Sequence, residues 1–291
     1  MLMDVKIDPK TKLYGIFGNP VEYSLSPHLH NAVFKHLGMD CVYLAFRIEP
    51  ESLALAFEGV RSLGIRGVNV TIPFKEDAIN FVDEIPEDLD RLTGAINTVV
   101  QKDKKLFGYN TDGPGILQAL REELSFGPSE KDILVIGSGG AARGVVFSLA
   151  RAGADRIFIF NRSRERARGL AEYAAGHFSE TEIVFLESFS DLPDKRLDLV
   201  LNATPCGMSG GKGSQDLPVD WGLIPEPKAA YDMVYTPAET PWIKEAKKLG
   251  IPCAGGVGML VAQAALSFEL WTGKKEGVRE CMREALKSWK H

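Results

Sequence analysis

Cysteine and histidine are scarce in this 291-residue sequence, and neither is grouped. The four cysteines, Cys41, Cys206, Cys253 and Cys281, are far apart and form no C-x-x-C pair. They read as reduced core or surface thiols, not as a disulfide framework. His28 and His30 are the tightest histidine pair, and no third ligand stands at metal spacing, so no metal site is expected. No apolar run reaches the roughly 18 residues that span a bilayer. The start, Met1-Leu2-Met3-Asp4-Val5-Lys6, lacks the apolar stretch of a signal peptide. A cytoplasmic protein with no membrane partner is therefore expected. Positive charge is not in excess either. The formal net charge of −5 provides no basic field for nucleic acid. Short repeats and low-complexity tracts are absent.

What is present is alternation. The length suits one large domain or two ordinary ones. Short β-branched or aromatic runs alternate with amphipathic stretches, the pattern of α/β layers on a mostly parallel sheet. Strands are expected at Leu13–Phe17, Cys41–Ile48 and Gly67–Ile72, with helices at Pro27–Leu37 and Ser52–Leu63. Ile96–Gln101 and Lys105–Tyr109 read as an antiparallel pair around Lys102-Asp103-Lys104. The pattern restarts near residue 131. Strands are expected at Asp132–Ile136, Arg156–Phe160, Ile183–Phe185, Leu197–Leu201, Ala229–Met233 and Ile251–Ala254. Helices are expected at Gly113–Leu124, Arg143–Ala152, Ser163–Ala175, Thr240–Leu249, Met259–Trp271 and Gly277–Trp289. Cys206–Asp220, rich in glycine, reads as a long loop.

One turn carries a chemical signature. Residues 132–142 read Asp-Ile-Leu-Val-Ile-Gly-Ser-Gly-Gly-Ala-Ala. Gly137, Gly139 and Ala142 fit the G-x-G-x-x-A form of the Rossmann fingerprint, after a strand and opening a helix. The first glycine permits a tight turn, the second lets backbone approach a pyrophosphate, and the alanine allows close helix–strand packing. Gly137, Ser138, Gly139, Gly140 and Ala141 are thus candidate cofactor contacts, helped by free N–H groups at the helix start.

The end of the next strand selects the cofactor. NAD sites place Asp or Glu there to hold the ribose 2′-hydroxyl. Here the segment is Asn161-Arg162-Ser163-Arg164-Glu165-Arg166. Guanidinium groups attract a 2′-phosphate and bind it bidentately. NADP (NADPH) is the expected cofactor. Arg162 is the first candidate, with Asn161, Ser163 and Arg166 as helpers, and Arg164 and Arg168 as solvated helix residues.

The first 112 residues carry Gly18-Asn19-Pro20-Val21-Glu22-Tyr23-Ser24-Leu25-Ser26-Pro27-His28 and Asn69-Val70-Thr71-Ile72-Pro73-Phe74-Lys75. Gly94-Ala95-Ile96-Asn97-Thr98 and Asn110-Thr111-Asp112-Gly113 follow. Later come Asn202-Ala203-Thr204-Pro205, Tyr231-Asp232-Met233-Val234-Tyr235 and Gly258-Met259-Leu260-Val261-Ala262-Gln263. Together, in this order, these motifs resemble the shikimate dehydrogenase family from about Tyr14 to Trp271. The resemblance implies reversible NADPH-dependent reduction of 3-dehydroshikimate. A quinate/shikimate dehydrogenase using NAD or NADP is the nearest alternative.

Hydroxyls at Ser24 and Ser26, two apart before a helix, suit a carboxylate, although Ser26 before Pro27 could also be a helix cap. The resemblance implies that Ser24 and Ser26 hold the substrate carboxylate with help from Tyr235. It implies that Thr71, Asn97 and Gln263 hydrogen-bond ring hydroxyls. It makes Lys75 and Asp112 the catalytic pair, both also touching substrate. A lysine beside a carbonyl can exchange the proton, and a carboxylate can orient it. The resemblance also places Asn202, Thr204, Met233 and Gly256 near the nicotinamide, and Glu87 near the cofactor. The fold implied is two α/β domains with a cleft between. Residues 1–112, completed by C-terminal helices in 256–291, form the substrate-binding and catalytic domain, and 113–255 form the Rossmann-type NADP domain. The partners implied are a small-molecule substrate and a monomeric or homodimeric state.

Overall fold

The computed structural model describes residues 7–193, 196–209 and 213–288. The first six residues, residues 210–212 of the glycine-rich loop and Trp289, the last residue of the expected C-terminal helix, lie outside the described residues. The chain forms two compact units. One runs to Thr111 and is taken up again from Val261; the other runs from Asp112 to Leu260.

The first unit is built on strands β1 (Lys12–Gly18), β2 (Cys41–Arg47), β3 (Gly67–Val70), β4 (Thr98–Lys102) and β5 (Lys105–Tyr109), in the order β2-β1-β3-β4-β5. β1 pairs in parallel with β2 and β3, while β4 runs antiparallel to β3 and β5. The β4–β5 turn puts Asp103 and Lys104 at φ 51° and 66°. Two consecutive left-handed residues match the twist of a tight hairpin. β4 starts two residues later than the sequence pattern suggests. The Ile96 N–H goes to the Lys75 carbonyl at 2.9 Å rather than to β3, which ties the Lys75 backbone to the start of β4.

Helices α1 (Ser26–His36), α2 (Leu53–Ser62) and the short α3 (Asp88–Thr93), which the sequence pattern does not show, belong to the same unit. One core cluster gathers Phe17, Phe57, Val68, Phe74, Ile96 and Leu106. A second layer is aromatic. His30 is fully buried and stacks on Tyr43 with centroids 4.5 Å apart, beside Trp271 and Phe268. Burial alone lowers its pKa to about 3, so the imidazole is neutral.

The second unit contains α4 (Asp112–Leu124), β6 (Asp132–Ile136), α5 (Gly140–Arg151), β7 (Arg156–Phe160), α6 (Arg164–Ala175), β8 (Glu182–Phe185), β9 (Leu199–Asn202), β10 (Ala230–Asp232), α7 (Pro241–Lys248) and β11 (Cys253–Ala254). The sheet order is β11-β10-β9-β6-β7-β8, with every pairing parallel. β6 and β9 are buried along their whole length, which is why they read as apolar runs rather than as alternation. Strand order reverses at β6, and such a switch point is where open α/β sheets take ligands. Helix α8 (Val257–Thr272) spans the boundary between the units, and α9 (Val278–Ser288) packs on α1. No described helix is long and apolar enough to cross a membrane.

Candidate functional site

In the second unit the glycine turn leaves β6 as the fingerprint requires. Gly137 has φ 123° and donates its N–H to the Phe160 carbonyl at 2.7 Å. A Cβ there would sit 3.1 Å from the Ala203 carbonyl carbon and oxygen, so only glycine fits without strain. α5 begins at Gly140, three residues before the helix start read from the sequence. The Gly140-Ala141-Ala142 segment is the first helical turn and not part of the loop, because its amides must already be helical to point outward together. Gly139 precedes it in an extended conformation, and no side chain caps the helix. A Cβ on Gly139 would meet nothing within 4 Å, so the approach to these amides is open. The Ser138 hydroxyl is buried without a hydrogen-bond partner among the described residues. Uncapped amides, an open approach and an orphaned hydroxyl fit a pyrophosphate. Ala142 is fully buried against the sheet.

At the end of β7 the arginines divide. Arg164 pairs with Glu187 at 3.2 Å, and the Arg168 guanidinium lies 5.0 Å from the centre of the Phe185 ring. Arg166 is exposed. Arg162 is also exposed and engages no carboxylate among the described residues. The Asn161 side chain donates to the Ser163 carbonyl at 3.2 Å, which fixes the turn that presents Arg162. Ser163 sits at the N-cap of α6 in an extended conformation.

A buried polar chain holds the ends of β9 and β10. Asn202, fully buried, donates from Nδ2 to Asp232 at 2.9 Å. Its Oδ1 accepts from both the amide and the hydroxyl of Thr204, at 3.0 and 2.7 Å. Asp232 also accepts from the Val234 amide at 3.0 Å and the Thr240 hydroxyl at 2.6 Å. Burial raises the Asp232 pKa to about 6, against the opposing pull of these donors. Asn202 thus places Thr204 and the loop behind it. The Gly256 N–H donates to the Val234 carbonyl at 3.0 Å, and a Cβ on Gly256 would lie 2.1 Å from the Met233 carbonyl oxygen. Met233 and Gly256 are therefore brought together, and Tyr235, two residues on, is half-buried.

The first unit carries the other candidate residues. Ser24 and Ser26 precede and open α1. The N-cap position falls on Leu25 with no side-chain cap, and Ser26 is already helical and buried. The cap-like hydrogen bond belongs to Ser24, whose Oγ accepts from the Ser26 amide at 3.3 Å. Ser26 is thus not the cap its position before Pro27 suggested, because the helix begins one residue earlier than read. Thr71 follows β3, its amide bonded to the Phe17 carbonyl at 2.9 Å. Lys75 lies four residues on and is half-buried.

Asn97 is the centre of a buried network. Its Oδ1 accepts from the Thr111 amide at 2.8 Å, which fixes the orientation of the carboxamide. Its Nδ2 then faces the Thr111 hydroxyl at 2.9 Å and Gln263 Oε1 at 3.5 Å. Asn69, Thr98 and Ser267 surround this group. Asn69 and Thr98 stand inside motifs that the sequence displays, yet their supporting role is invisible there. Ser267 shares a helix face with Gln263 four residues earlier, a signal that spacing alone could have offered.

Asp90 was also missed. It is buried, its pKa is raised to about 6 by burial, and it accepts from the Asn110 amide at 2.8 Å. It therefore anchors the segment that leads through Thr111 to Asp112. Asp112 is the buried first residue of α4 and opens the second unit, whereas Lys75 belongs to the first. Glu87 is exposed and sits at the N-cap of α3. No cluster of three or more potential metal ligands exists among the described residues.

A parallel sheet with a glycine-turn anion site at its switch point, preceded by an α/β unit with a preorganised hydrogen-bonding cluster, defines a two-domain dinucleotide-binding protein of the dehydrogenase kind. Family models narrow this. The shikimate dehydrogenase substrate-binding domain matches residues 16–99, shikimate/quinate 5-dehydrogenase matches 120–205, and the shikimate 5′-dehydrogenase C-terminal domain matches 256–287. The chain is 45% identical to shikimate dehydrogenase (NADP(+)) of Methanopyrus kandleri over 98% of each chain. It resembles a crystal structure of a shikimate dehydrogenase in complex with NADP+ with a TM-score of 0.88, at 40% identity over 98% of each chain. A Thermus thermophilus shikimate 5-dehydrogenase in complex with NADP(H) and shikimate matches with a TM-score of 0.80 at 36% identity, covering 94% of this chain and 99% of that one. The chain belongs to the shikimate dehydrogenase family.

Proposed function

We propose that the chain catalyses the reversible NADPH-dependent reduction of 3-dehydroshikimate to shikimate, a step toward chorismate and the aromatic amino acids, as a cytoplasmic monomer or homodimer. Residues 1–112 with 256–291 serve substrate binding and catalysis, and 113–255 bind NADP. The carrying observation is the preorganised Asn97 carboxamide. Its oxygen is held by the Thr111 amide, so its N–H group is turned toward Gln263, a fixed donor for a ring hydroxyl. Sites built to pair a hydroxyl reject substrates that lack it, because the buried partners are left unpaired.

In this reading Ser24 and Ser26, with Tyr235, hold the carboxylate. Thr71, Asn97 and Gln263 hold ring hydroxyls. Gly137, Ser138, Gly139, Gly140 and Ala141 cradle the pyrophosphate, and Arg162, with Asn161, Ser163 and Arg166, pairs with the 2′-phosphate. Thr204, Met233, Gly256 and Glu87 complete the cofactor set. The bound cofactor supplies the hydride. Lys75 gives a proton from Nζ to the carbonyl oxygen as the C–H bond forms, and takes it back in the oxidising direction. Asp112 orients the lysine and accepts a substrate hydroxyl.

Mixing the purified chain with shikimate and NADP+ and following absorbance at 340 nm tests the reading. A steady rise is expected, with weaker turnover of quinate and of NAD+. No rise with shikimate in either cofactor would overturn it, and equal turnover of quinate would favour the quinate/shikimate alternative.

A further inference from the structure

Three residues on one stripe of α8, Gln263, Ser267 and Trp271, are spaced four apart and face the sheet of the first unit. Each makes a polar contact with that sheet or with Asn97, the residue before β4. Gln263 Oε1 meets Asn97 Nδ2 at 3.5 Å. Trp271 Nε1 donates to the Val99 carbonyl at 2.9 Å and covers Gly67, where a Cβ would stand 2.2 Å from the indole nitrogen. Between them Ser267, fully buried, receives the Asn69 carboxamide N–H at 3.0 Å and lies 2.7 Å from the Thr98 hydroxyl and 3.3 Å from that of Thr111. Its own hydroxyl is 3.0 Å from the Gln263 carbonyl.

We infer that Ser267, acting with Thr98, is a positioning residue that sets the Asn97 carboxamide and the Gln263 side chain in register for the substrate's ring hydroxyls. The inference rests on the proposed function. Its physical basis is proton accounting. At 2.7 Å, Thr98 and Ser267 must share a proton, since two bare oxygens so close would repel. If Ser267 donates, Thr98 is free to donate to Asn97 Oδ1 at 3.0 Å. If Thr98 donates, Ser267 donates to the Gln263 carbonyl. The first arrangement links Asn97 through both hydroxyls to α8, and the second links the Thr98 hydroxyl beside Asn97 through Ser267 to the helical turn that carries Gln263. Asn69 closes the cluster from below: its Nδ2 also reaches the Asn97 carbonyl at 3.1 Å, and its Oδ1 accepts the Tyr43 hydroxyl at 2.8 Å. With apolar contacts alone, α8 could rotate or slide against β3 and β4 at little cost. With Ser267 in place, such a shift leaves several buried polar groups unpaired.

Steady-state kinetics of Ser267→Ala, with and without Gln263→Ala, provide the test. Ser267→Ala is expected to raise the KM for shikimate by roughly tenfold, the scale of a lost buried hydrogen bond, while kcat and the KM for NADP+ stay within about threefold. In the Gln263→Ala background the added effect should shrink to about twofold or less, because coupled residues are not additive. A general loss of stability would act equally in both backgrounds. Thr98→Val and Thr98→Ser guard against misfolding: the first should reproduce the KM rise, and the second should restore near-wild-type values. An unchanged shikimate KM in Ser267→Ala, equal effects in both backgrounds, or Thr98→Val matching Thr98→Ser would overturn the inference. A wild-type chain inactive on shikimate would overturn the functional reading itself, a separate result.

Discussion

In the first unit the candidate Asn97 is buried and already hydrogen-bonded to Thr111 and Gln263. In the second, the groups at the candidate phosphate site are uncapped helix amides, a hydroxyl with no partner among the described residues, and exposed arginines. On the proposed function, the contrast follows from what each unit recognises. A phosphate is a diffuse charge that backbone dipoles satisfy from a helix start, whatever side chains lie nearby. A ring of hydroxyls needs donors and acceptors in fixed directions, and fixing a carboxamide takes a second layer of buried partners. The first unit therefore fills part of its interior with polar groups, including Asn69, Thr98, Thr111 and Ser267. The second keeps β6 and β9 almost wholly apolar and places its polar chain at the strand ends.

The largest expected effect falls on the first unit. Lys75→Met keeps much of the stem and removes the proton. It should lower kcat by about 10²–10⁴-fold with the KM for shikimate and NADPH affinity little changed, as read in assays at saturating substrates. A near-normal kcat with a raised KM would make Lys75 a binding residue and move the chemistry elsewhere.

Next comes the cofactor. Arg162→Ala should weaken NADPH binding by about 2–4 kcal/mol and leave NADH nearly unchanged, as measured by titration calorimetry. Equal losses for both cofactors would mean that Arg162 does not read the 2′-phosphate.

Smaller losses are expected from Ser24→Ala and Ser26→Ala. Each removes a hydrogen bond to a charged group, worth about 1.5–3 kcal/mol, and should appear as a higher shikimate KM with unchanged cofactor affinity. Ser24 also accepts from the Ser26 amide, so its replacement should lower the melting temperature slightly more. If both variants keep the wild-type KM, the carboxylate is held by other groups.

The smallest effect sharpens the division among the arginines. Arg164 already pairs with Glu187 on an exposed surface, and such pairs contribute about 0–1 kcal/mol. Arg164→Ala should barely alter NADPH affinity. A loss matching that of Arg162→Ala would show that the two guanidinium groups share the phosphate.

Legibility in the sequence follows the same contrast. Backbone recognition leaves a trace, because Gly137 must adopt φ 123° beside the Ala203 carbonyl and only glycine does so freely. That constraint prints a motif. Side-chain networks print none: Tyr43, Asn69 and Ser267 are far apart in the chain and meet only because β2, β3 and α8 pack together. The roles of Asp90 and Asp232 are hidden in the sequence for a related reason. A buried carboxylate looks like a surface one until its desolvation and its donors are visible.

Period and turn chemistry, read from the sequence by themselves, determined the α/β alternation, the restart near residue 131, the strand–glycine–helix turn and the arginine-rich end of β7. These are local properties: side-chain periodicity and backbone permissiveness act over a few residues and need no distant partner. Tertiary structure alone decided where β4 begins, that Arg164 pairs with Glu187 while Arg162 engages no carboxylate among the described residues, and which buried hydroxyls hold Asn97 and Gln263. Each of those depends on hydrogen-bond partners tens to hundreds of residues away. A donor or acceptor finds its partner only when packing has removed the water that would otherwise satisfy it.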